Sequence, residues 1–486
     1  MKVATFGKDF KLTLPTGKEL IVTKNKKYIF SDFVLKQFID AVIEKSGQKE
    51  VGEMVKNIEE LDSVFPVLDL GQPISELKKI KTLLIIRTGG IGDLLALSNV
   101  AKLANHIFRD ILKVPQFKIF FITDQKYAAV FKYFDQMVTP IYYFYDPVDK
   151  VLKKNNIYGT SGVRSIYFEG LIEEREDNWF DLQIERFNLR KFELMDKIDP
   201  KFLVKNPKLT DIYSSTAYYH HQFTKKNDLE GFEKKFKQYE SNGTKTVLVH
   251  HRASAWIRSF NIGDAVNTLS QYFKDKGMDN YKIITFPRNY TESDNTFFEN
   301  LKVEDPDLFN HVDQIKTENL HQFFYTISKA DIVLSSDTAA FHFKEGIGGF
   351  AIGIYSSFPS RMRTRTYVNT HSYDIIFPQC KFVCDKDTYI GCVSHFKTPY
   401  EVCVYMSEKY RDVLKSDHHF KRGNRIPDKE FLADLESFVK EVGMDTLLEQ
   451  GIFQYAPCLS SRWNDLFTAQ LRAIFEKEDL VGRLSE

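Results

Sequence analysis

Residues 82–108 read TLLIIRTGGIGDLLALSNVAKLANHIF, and this stretch decides the fold of the first half of the chain. A short apolar run enters a turn that holds three glycines and one aspartate, and an amphipathic helical pattern follows the turn. A strand, a glycine-rich turn and a helix in this order are the opening unit of a parallel α/β sheet. The sequence therefore predicts a βα unit whose turn carries Gly89, Gly90, Gly92 and Asp93.

The same alternation of strand-length apolar runs and helical patterns continues along the chain. In the first half, FKIFFIT (117–123) predicts a second strand, and a helix is predicted through AAVFKYF (128–134). In the second half, four apolar runs predict strands with helices between them: KTVLVHH (245–251), KIITFP (282–287), DIVLSS (331–336) and GFAIGIYS (349–356). This rhythm predicts an α/β fold with two successive domains, each built on a parallel sheet.

Changes in composition divide the chain into four predicted parts. In the first part, FKLTL and KELIVT flank the turn PTG, and a polar helical pattern follows from about Ser31 to Asp62. No catalytic motif occurs in that part, so an accessory domain is predicted. The parts are this N-terminal domain over residues 1–78, the first α/β domain over 79–240, the second over 241–440, and a helical tail over 441–486.

The composition is that of a folded protein whose charge is balanced. The chain has 486 residues, 43% of them hydrophobic and 14% aromatic, which is enough for packed cores. The formal net charge of +1 creates no global field, so charge alone implies neither nucleic acid nor an anionic membrane as a partner. The N-terminal residues MKVATFGKDF lack the apolar core of a signal peptide, and no apolar run approaches the roughly 18 residues of a membrane span. A soluble, cytoplasmic protein is predicted.

The turn at Asp93 has three interpretations that the residues alone leave open. The first residues of a helix present backbone N–H groups to an anion, so the turn can bind a phosphate. Gly90-Ile91-Gly92 also fits the start of a dinucleotide-binding fingerprint, but Leu95 occupies the position of its third glycine, and no clear carboxylate ends the second strand. Aspartate is also a favoured N-cap, so Asp93 could serve the helix alone.

The second half of the chain contains a similar strand-to-helix junction in ADIVLSSDTAAFHFKEGIGGFAIGIY (330–355). Asp337 and Thr338 follow an apolar strand directly, and His342 lies four residues beyond Thr338, on the same face of the predicted helix. Ligands of open α/β sheets bind beyond the carboxyl ends of the strands. Asp93 and Asp337 are therefore both predicted at ligand-binding ends of strands, whereas a packing role is the alternative for His342.

At these residues the sequence resembles glycosyltransferase family nine, the heptosyltransferase-like enzymes of the GT-B fold. The family block R-x-G-x-x-G-D corresponds to residues 87–93, and the block D-[TS]-G-x-x-H corresponds to residues 337–342. A third block, H-x6-K-x-W, corresponds to residues 251–260, and the three blocks keep the family's order over roughly residues 80–440. The chain departs from the family pattern at Ala339, at Arg258 with Phe260, and at residues 355–359.

The resemblance implies a GT-B protein, in which two Rossmann-like domains face each other across a cleft, with the small N-terminal α+β domain added. It implies an inverting, metal-independent glycosyltransferase that moves a hexosyl, heptosyl or pentosyl group from a nucleotide-diphosphate sugar to an acceptor hydroxyl. Residues 79–240 would be the acceptor side and residues 241–440 the donor side. Asp93 would be the catalytic base, and the donor-binding residues would be Arg252, Ser254, Arg258, Asp337, Thr338 and His342.

The resemblance favours a surface saccharide, such as the lipopolysaccharide core, as the acceptor. The phenylalanine- and lysine-rich composition and the added N-terminal domain are typical of virus-encoded chains. Hydroxymethylated phage DNA is therefore the second predicted acceptor, with the host cytoplasm as the corresponding location. A non-catalytic nucleotide-sugar-binding protein and a NAD-dependent oxidoreductase are the alternative functions, and the sequence does not indicate an oligomeric state.

Two further groups of side chains could bind a metal or an anion. Four cysteines within a short span could hold a structural zinc or iron ion, but they lack the C-x2-C spacing, and free thiols are the simpler interpretation. These are Cys380, Cys384, Cys392 and Cys403. Arg361, Arg363 and Arg365 alternate along the chain, so on a strand they would share one side and could contact phosphates; a solvated loop is the alternative.

Overall fold

The chain forms two compact units in its computed structural model, one comprising Met1–Ile172 with Trp179–His220 and the other Glu173–Asn178 with His221–Glu486. None of the helices in the described part of the chain is long and apolar enough to cross a membrane. The structure describes residues 1–13, 19–30, 32–46, 48–87, 90–133, 138–142, 146–167, 187–200, 203–205, 212–214, 229, 232–253, 258–356, 360–364, 367–375, 437, 440, 457–461 and 466–485.

The first unit contains small antiparallel sheets and one parallel sheet. Its strands are β1 (Lys2–Phe6), β2 (Phe10–Thr13), β3 (Glu19–Val22), β4 (Lys27–Phe30), β5 (Val55–Glu60), β6 (Thr82–Ile86), β7 (Lys118–Thr123), β8 (Val138–Tyr142), β9 (Val163–Tyr167), β10 (Leu203–Lys205) and β11 (Ile212–Ser214). Its helices are α1 (Asp32–Ser46), α2 (Gln48–Met54), α3 (Leu61–Val64), α4 (Ile74–Leu77), α5 (Ile91–Asn105) and α6 (Val148–Lys154).

The N-terminal part consists of the antiparallel sheet β4-β1-β5 and the predicted hairpin of β2 and β3. The helix predicted up to Asp62 is wrong for residues 55–60, because these residues form β5. This strand pairs with β1, with Lys2 opposite Glu60. The residues of β5, VKNIEE, are mostly polar and exposed, so their strand conformation depends on pairing with β1 rather than on a sequence period.

The N-terminal part and the parallel sheet share one apolar core. Phe6 and Phe38 belong to the same cluster of buried residues as Ile86 and Phe120. Burial of these large side chains contributes roughly 1.5–3 kcal/mol each, so the N-terminal part is stabilised by its contact with the parallel sheet. The boundaries of the four predicted parts stay a prediction.

The parallel sheet of the first unit has the strand order β8-β7-β6-β9. All five residues of β6 are buried, as expected for a strand that is covered on both faces. The chain proceeds from β6 to one side, through β7 and β8, and then returns to place β9 on the other side of β6. The strand order therefore reverses between β6 and β9. The helix predicted through AAVFKYF is a 3₁₀ helix over Gln125–Tyr133.

The second unit is built on a larger parallel sheet. Its strands are β12 (Lys245–His250), β13 (Tyr281–Thr285), β14 (Val312–Gln314), β15 (Ile332–Ser336), β16 (Ala351–Tyr355) and β17 (His371–Asp374). Its helices are α7 (Phe232–Ser241), α8 (Ile262–Asp275), α9 (Glu292–Glu304), α10 (Pro306–His311), α11 (Leu320–Lys329), α12 (Ala339–Gly346), α13 (Arg361–Thr364), α14 (Leu466–Glu478) and α15 (Leu480–Ser485).

The strand order of this sheet is β14-β13-β12-β15-β16-β17, and every neighbouring pair is parallel. Numbered by the sequence, this is the order 3-2-1-4-5-6 of the Rossmann fold, and the sheet of the first unit follows its first four strands. The strand order reverses between β12 and β15. The predicted fold class is confirmed: both units are α/β, and a small α+β part lies at the N-terminus.

Local signals in the sequence set several boundaries of the second unit. Asn261 caps α8, because its side chain accepts hydrogen bonds from the backbone N–H groups of Gly263 and Asp264. Gly277 lies just beyond that helix with a φ of 69°, a conformation that glycine adopts without strain. The tail helix α14 covers α8, where Tyr272 and Phe475 meet with ring centroids 6.0 Å apart.

Candidate functional site

Two edges of the molecule meet the general condition for a ligand site in an α/β sheet. Such sites lie beyond the carboxyl ends of parallel strands, at the point where the strand order reverses. In the first unit this point lies between β6 and β9, and in the second unit between β12 and β15. Asp93 and Asp337 each follow one of these strands, as the sequence predicts.

In the first unit, the turn after β6 is shaped by Gly90. This residue precedes α5 with a φ of 59°, and a Cβ atom added to it would lie 2.8 Å from Oδ2 of Asp93. A glycine is therefore required for both conformation and space. Because Gly90 occupies the N-cap position and Asp93 is the third residue of α5, the interpretation of Asp93 as the N-cap is wrong.

Asp93 forms an ion pair with Arg87, the residue that follows β6. The Arg87 side chain is 2% exposed, whereas that of Asp93 is 25% exposed. The Nε atom of Arg87 donates to Oδ2 of Asp93 over 3.0 Å, and Nη2 of Arg87 contacts the same oxygen. A buried guanidinium requires a charge partner, so the pair fixes the orientation of the Asp93 carboxylate. The sequence motif that contains Arg87 does not by itself predict this pairing.

A second carboxylate follows the neighbouring strand of the sheet. Asp124 follows β7 directly and is buried. The expectation that no carboxylate ends the second strand is therefore wrong, and the signal was present in the sequence, since Asp124 comes directly after the apolar run FKIFFIT. Of the glycines in the turn, Gly90 and Gly92 are described, and Gly89 lies outside the described residues.

In the second unit, Asp337 is the centre of a cluster of polar side chains. The Nη1 atom of Arg258 lies 2.7 Å from Oδ2 of Asp337. On the other oxygen, the Tyr355 hydroxyl donates to Oδ1 over 3.1 Å, and Nε2 of His342 lies 3.4 Å from Oδ1. The Asp337 side chain is 4% exposed, whereas that of Arg258 is 25% exposed. Both oxygens of a buried carboxylate are thus paired, and one of its partners, Arg258, has a partly exposed side chain.

The electrostatics of the cluster keep Asp337 ionised. Burial by itself would raise the pKa of the Asp337 carboxyl, but the hydrogen bond with His342 and the positive charges of Arg258 and Arg363 outweigh burial. The pKa of Asp337 is therefore held well below its ordinary value. Burial, together with the same negative charge, raises the pKa of Tyr355 well above its ordinary value, so its hydroxyl remains a donor.

Thr338 directly precedes α12 and connects this helix to β12. Its hydroxyl oxygen accepts a hydrogen bond from the backbone N–H of Ala340 over 3.3 Å, which makes Thr338 the N-cap. The same oxygen lies 3.0 Å from Nδ1 of His250 and 2.9 Å from the Ser335 hydroxyl. Burial, with the charge of His251 as a smaller cause, lowers the pKa of His250 to about 3, so this histidine is neutral at physiological pH.

His342 is partly buried, with 9% of its side chain exposed, and each of its ring nitrogens has a polar partner. Its Nε2 faces Asp337, and its Nδ1 pairs with the Tyr367 hydroxyl. The side chain therefore belongs to the polar cluster, not only to the packed core. The sequence analysis missed His250, Tyr355 and Tyr367, because nothing in their local pattern distinguishes them from core residues.

The remaining predicted residues divide into those near the cluster and those outside the described part of the chain. Arg252 follows His251, and its charge is one cause of the lowered pKa of His251, after burial. Arg361 and Arg363 lie in the short helix α13, so the expectation that the arginines alternate along a strand is wrong. Ser254, Arg365, Cys380, Cys384, Cys392 and Cys403 lie outside the described residues. Among the described residues, no group of three or more acidic, histidine or cysteine side chains is placed to hold a metal ion.

Several solved structures align with this chain at low sequence identity. No protein-family model and no curated protein matches the sequence. Among solved structures, the glycosyl transferase family 9 protein from Veillonella parvula aligns with 11% identity and a TM-score of 0.40, over 74% of this chain and 97% of that chain. The E. coli heptosyltransferase WaaC, solved with ADP-2-deoxy-2-fluoro heptose, aligns with 14% identity and a TM-score of 0.34, over 60% of this chain and 92% of that chain.

A third solved structure is the iron-containing dodecameric glycosyltransferase TibC from enterotoxigenic E. coli. It aligns with 8% identity and a TM-score of 0.36, over 86% of this chain and 91% of that chain. The family that the sequence motifs resemble is thus represented among these structures.

Proposed function

We propose that this chain is a glycosyltransferase that takes its sugar from a nucleotide-diphosphate donor. The observation that carries the proposal is the cluster of Arg258, Asp337 and His342 at the strand-order reversal of the second sheet. A buried carboxylate holds the guanidinium of Arg258 there, beside the first turn of α12, and the Arg258 side chain is partly exposed. The resemblance of the sequence motifs to glycosyltransferase family nine supports the same function.

In this proposal, Arg258 and the first turn of α12 bind the diphosphate of the donor. A guanidinium forks onto phosphate oxygens, and the N–H groups at a helix start attract anions. The diphosphate is also the leaving group, so both features would stabilise the charge that develops as its bond to the sugar breaks. Asp337 does not react in this scheme but orients Arg258. Arg252, Ser254, Thr338 and His342 complete the proposed donor site.

Asp93 is the proposed catalytic base. In an inverting transfer, one base takes the proton from the acceptor hydroxyl while the hydroxyl oxygen attacks the anomeric carbon. Arg87 engages Oδ2 of Asp93, so Oδ1 is the oxygen assigned to the acceptor hydroxyl. A GT-B arrangement, in which Asp93 and Arg258 serve opposite sides of one cleft, is part of the proposal. So is independence from metal, because cationic side chains serve the diphosphate.

A thermal-shift panel of ADP, GDP, UDP and CMP sugars tests the donor assignment. A ligand that binds only the folded state raises the melting temperature by mass action. One nucleotide series should raise the melting temperature of the wild type, and Arg258→Met should remove the shift. Arg472→Met is the matched control, because Arg472 pairs with Asp275 and Glu476 on the outer helices. A chain that no nucleotide sugar stabilises would overturn the proposal.

The acceptor is proposed to be a hydroxyl of a surface saccharide such as the lipopolysaccharide core, with hydroxymethylated DNA as the second candidate. Binding to DNA phosphates releases counterions, so it weakens steeply as salt increases. Titration with a duplex at low and at physiological salt separates the two candidates. Failure to bind the duplex at low salt would remove DNA as the acceptor.

A NAD-dependent oxidoreductase is the second candidate function, because Asp124 ends the second strand of the first sheet. In dinucleotide-binding folds an acidic residue near this point binds the ribose hydroxyls of NAD. Including NAD and NADH in the thermal-shift panel tests this function directly. Stabilisation by either dinucleotide that Asp124→Asn abolishes would favour the oxidoreductase over the transferase.

A further inference from the structure

Residues 367–370, here called the 367–370 segment, lie between α13 and β17 and are fixed onto α12 by Glu345. The Glu345 side chain is buried. Its Oε1 accepts a hydrogen bond from the backbone N–H of Val368 over 3.0 Å. Its Oε2 accepts from the N–H groups of Asn369 and Thr370, over 3.0 and 2.9 Å. Hydrogen bonds to a carboxylate are stronger than those between neutral groups, so Glu345 holds this segment firmly.

This places Tyr367 against α12, where it contacts two further residues of the helix. Its hydroxyl pairs with Nδ1 of His342, and its ring stacks on Phe341 with centroids 5.9 Å apart. His342 and Glu345 are three residues apart on α12, a spacing that puts side chains on one side of a helix. One side of α12 therefore holds the backbone of the 367–370 segment through Glu345 and the Tyr367 hydroxyl through His342.

These contacts restrict where the proton of His342 can be. The Asp337 carboxylate can only accept hydrogen bonds, so it pairs with the Nε2 atom of His342 only when that nitrogen carries a proton. In a neutral imidazole the other nitrogen, Nδ1, is then an acceptor and needs a donor. The Tyr367 hydroxyl supplies that donor. The order of donation is from Tyr367 to His342 and from His342 to Asp337.

We propose that Tyr367, fixed by Glu345, is a positioning residue that stabilises the Nε2-protonated tautomer of His342, so that His342 donates to Asp337. Asp337 in turn holds Arg258, 2.7 Å away. The role of this chain of hydrogen bonds in orienting Arg258 toward a diphosphate rests on the proposed function. The assignment of the His342 tautomer does not rest on it.

The tautomer is tested on the full chain by NMR of ¹⁵N-labelled histidine side chains at pH 8. The His342 signals are identified by their loss in His342→Asn. The wild type should show a proton on Nε2 and none on Nδ1, and Tyr367→Phe should show a larger share of the tautomer with its proton on Nδ1. A proton on Nδ1 in the wild type, or an unchanged tautomer in Tyr367→Phe, would overturn the inference. Glu345→Gln gives a second test, because it weakens the hydrogen bonds that hold the 367–370 segment while Tyr367 keeps its hydroxyl. It should shift the His342 tautomer in the same direction as Tyr367→Phe.

Titration with inorganic pyrophosphate tests the connection to the donor site. Tyr367→Phe should weaken binding by about three- to tenfold, the effect of one lost hydrogen bond. Tyr373→Phe is the matched control, since its hydroxyl pairs with Glu478 of α14 and should leave binding unchanged. Unchanged binding in Tyr367→Phe would contradict the positioning role. If the wild type does not bind pyrophosphate but its tautomer responds to Tyr367→Phe, the proposed function fails while the tautomer assignment holds.

Discussion

Arg258 and Asp337 form a pair in which Nη1 of the arginine lies 2.7 Å from Oδ2 of the aspartate. The Asp337 side chain is buried and the Arg258 side chain is partly exposed, so a buried carboxylate holds an arginine that solvent reaches in part. The pair joins the loop after β12 to the loop after β15, across the point where the strand order reverses. A fixed cation at such a point is suited to binding an anionic ligand.

Asp93→Asn should abolish transfer and preserve donor binding. Asparagine cannot take a proton from the acceptor hydroxyl, and loss of a general base reduces rates by about 10²- to 10⁴-fold. Release of nucleoside diphosphate from the donor measures turnover, and calorimetry measures donor affinity. Asp62→Asn is a control, because Asp62 is an exposed aspartate of the N-terminal part. Turnover that is unaffected by Asp93→Asn would favour a non-catalytic nucleotide-sugar-binding protein.

Gly90→Ala should destabilise the chain and reduce turnover together. A residue with a side chain is strained at a φ of 59°, and its Cβ would lie 2.8 Å from Oδ2 of Asp93. We expect a loss of about 1–3 kcal/mol in the free energy of unfolding, measured by urea titration. Gly243→Ala is the matched control, since Gly243 also has a positive φ, but a Cβ there meets nothing within 4 Å. Equal effects of the two substitutions would show that the space beside Asp93 is unimportant.

Lys344→Met should change how stability depends on pH. Burial lowers the pKa of the Lys344 ammonium to about 8, although its Nζ donates to the carbonyl of Ala330. The unfolded lysine has a pKa near 10.4, so between about pH 8 and 10.4 the unfolded chain binds more protons than the folded one. The free energy of unfolding of the wild type should therefore increase relative to that of Lys344→Met as the pH rises through this window.

The size of that change is on the order of 3 kcal/mol over the whole window, from the difference between the two pKa values. Urea unfolding at pH 7, 8, 9 and 9.5 measures it. Lys329→Met, at the C-terminal end of the neighbouring helix α11, is the control, because Lys329 is partly exposed and pairs with Glu240. Parallel curves for the wild type and Lys344→Met would contradict the lowered pKa.

Much of the fold could be predicted from the sequence, because the parallel strands are nearly continuous apolar runs. β12, β13, β15 and β16 lie where those runs predict them, since strands that are buried on both faces carry a strong local signal. β5 and β17 could not be predicted in this way. β5 is mostly exposed and β17 has four residues, so each depends on pairing with a neighbouring strand.

The candidate site could be predicted in part. Asp337, Thr338 and His342 follow a buried strand in a recognisable order, and Arg258 follows another. Their partners could not be predicted. Tyr355 and Tyr367 reach the cluster from positions 18 and 25 residues along the chain from their partners Asp337 and His342. Only the folded sheet brings such residues together.

The most direct test of the central claim is calorimetric titration with the nucleoside diphosphate whose sugar gives the largest thermal shift. We predict that Arg258→Met weakens its affinity by about 10- to 100-fold, the effect of lost charge-assisted hydrogen bonds. Arg258→Lys should be intermediate, because it keeps the charge but not the fork, and Arg472→Met should match the wild type. An affinity that is the same in the wild type and in Arg258→Met would contradict the claim that this cluster binds a diphosphate.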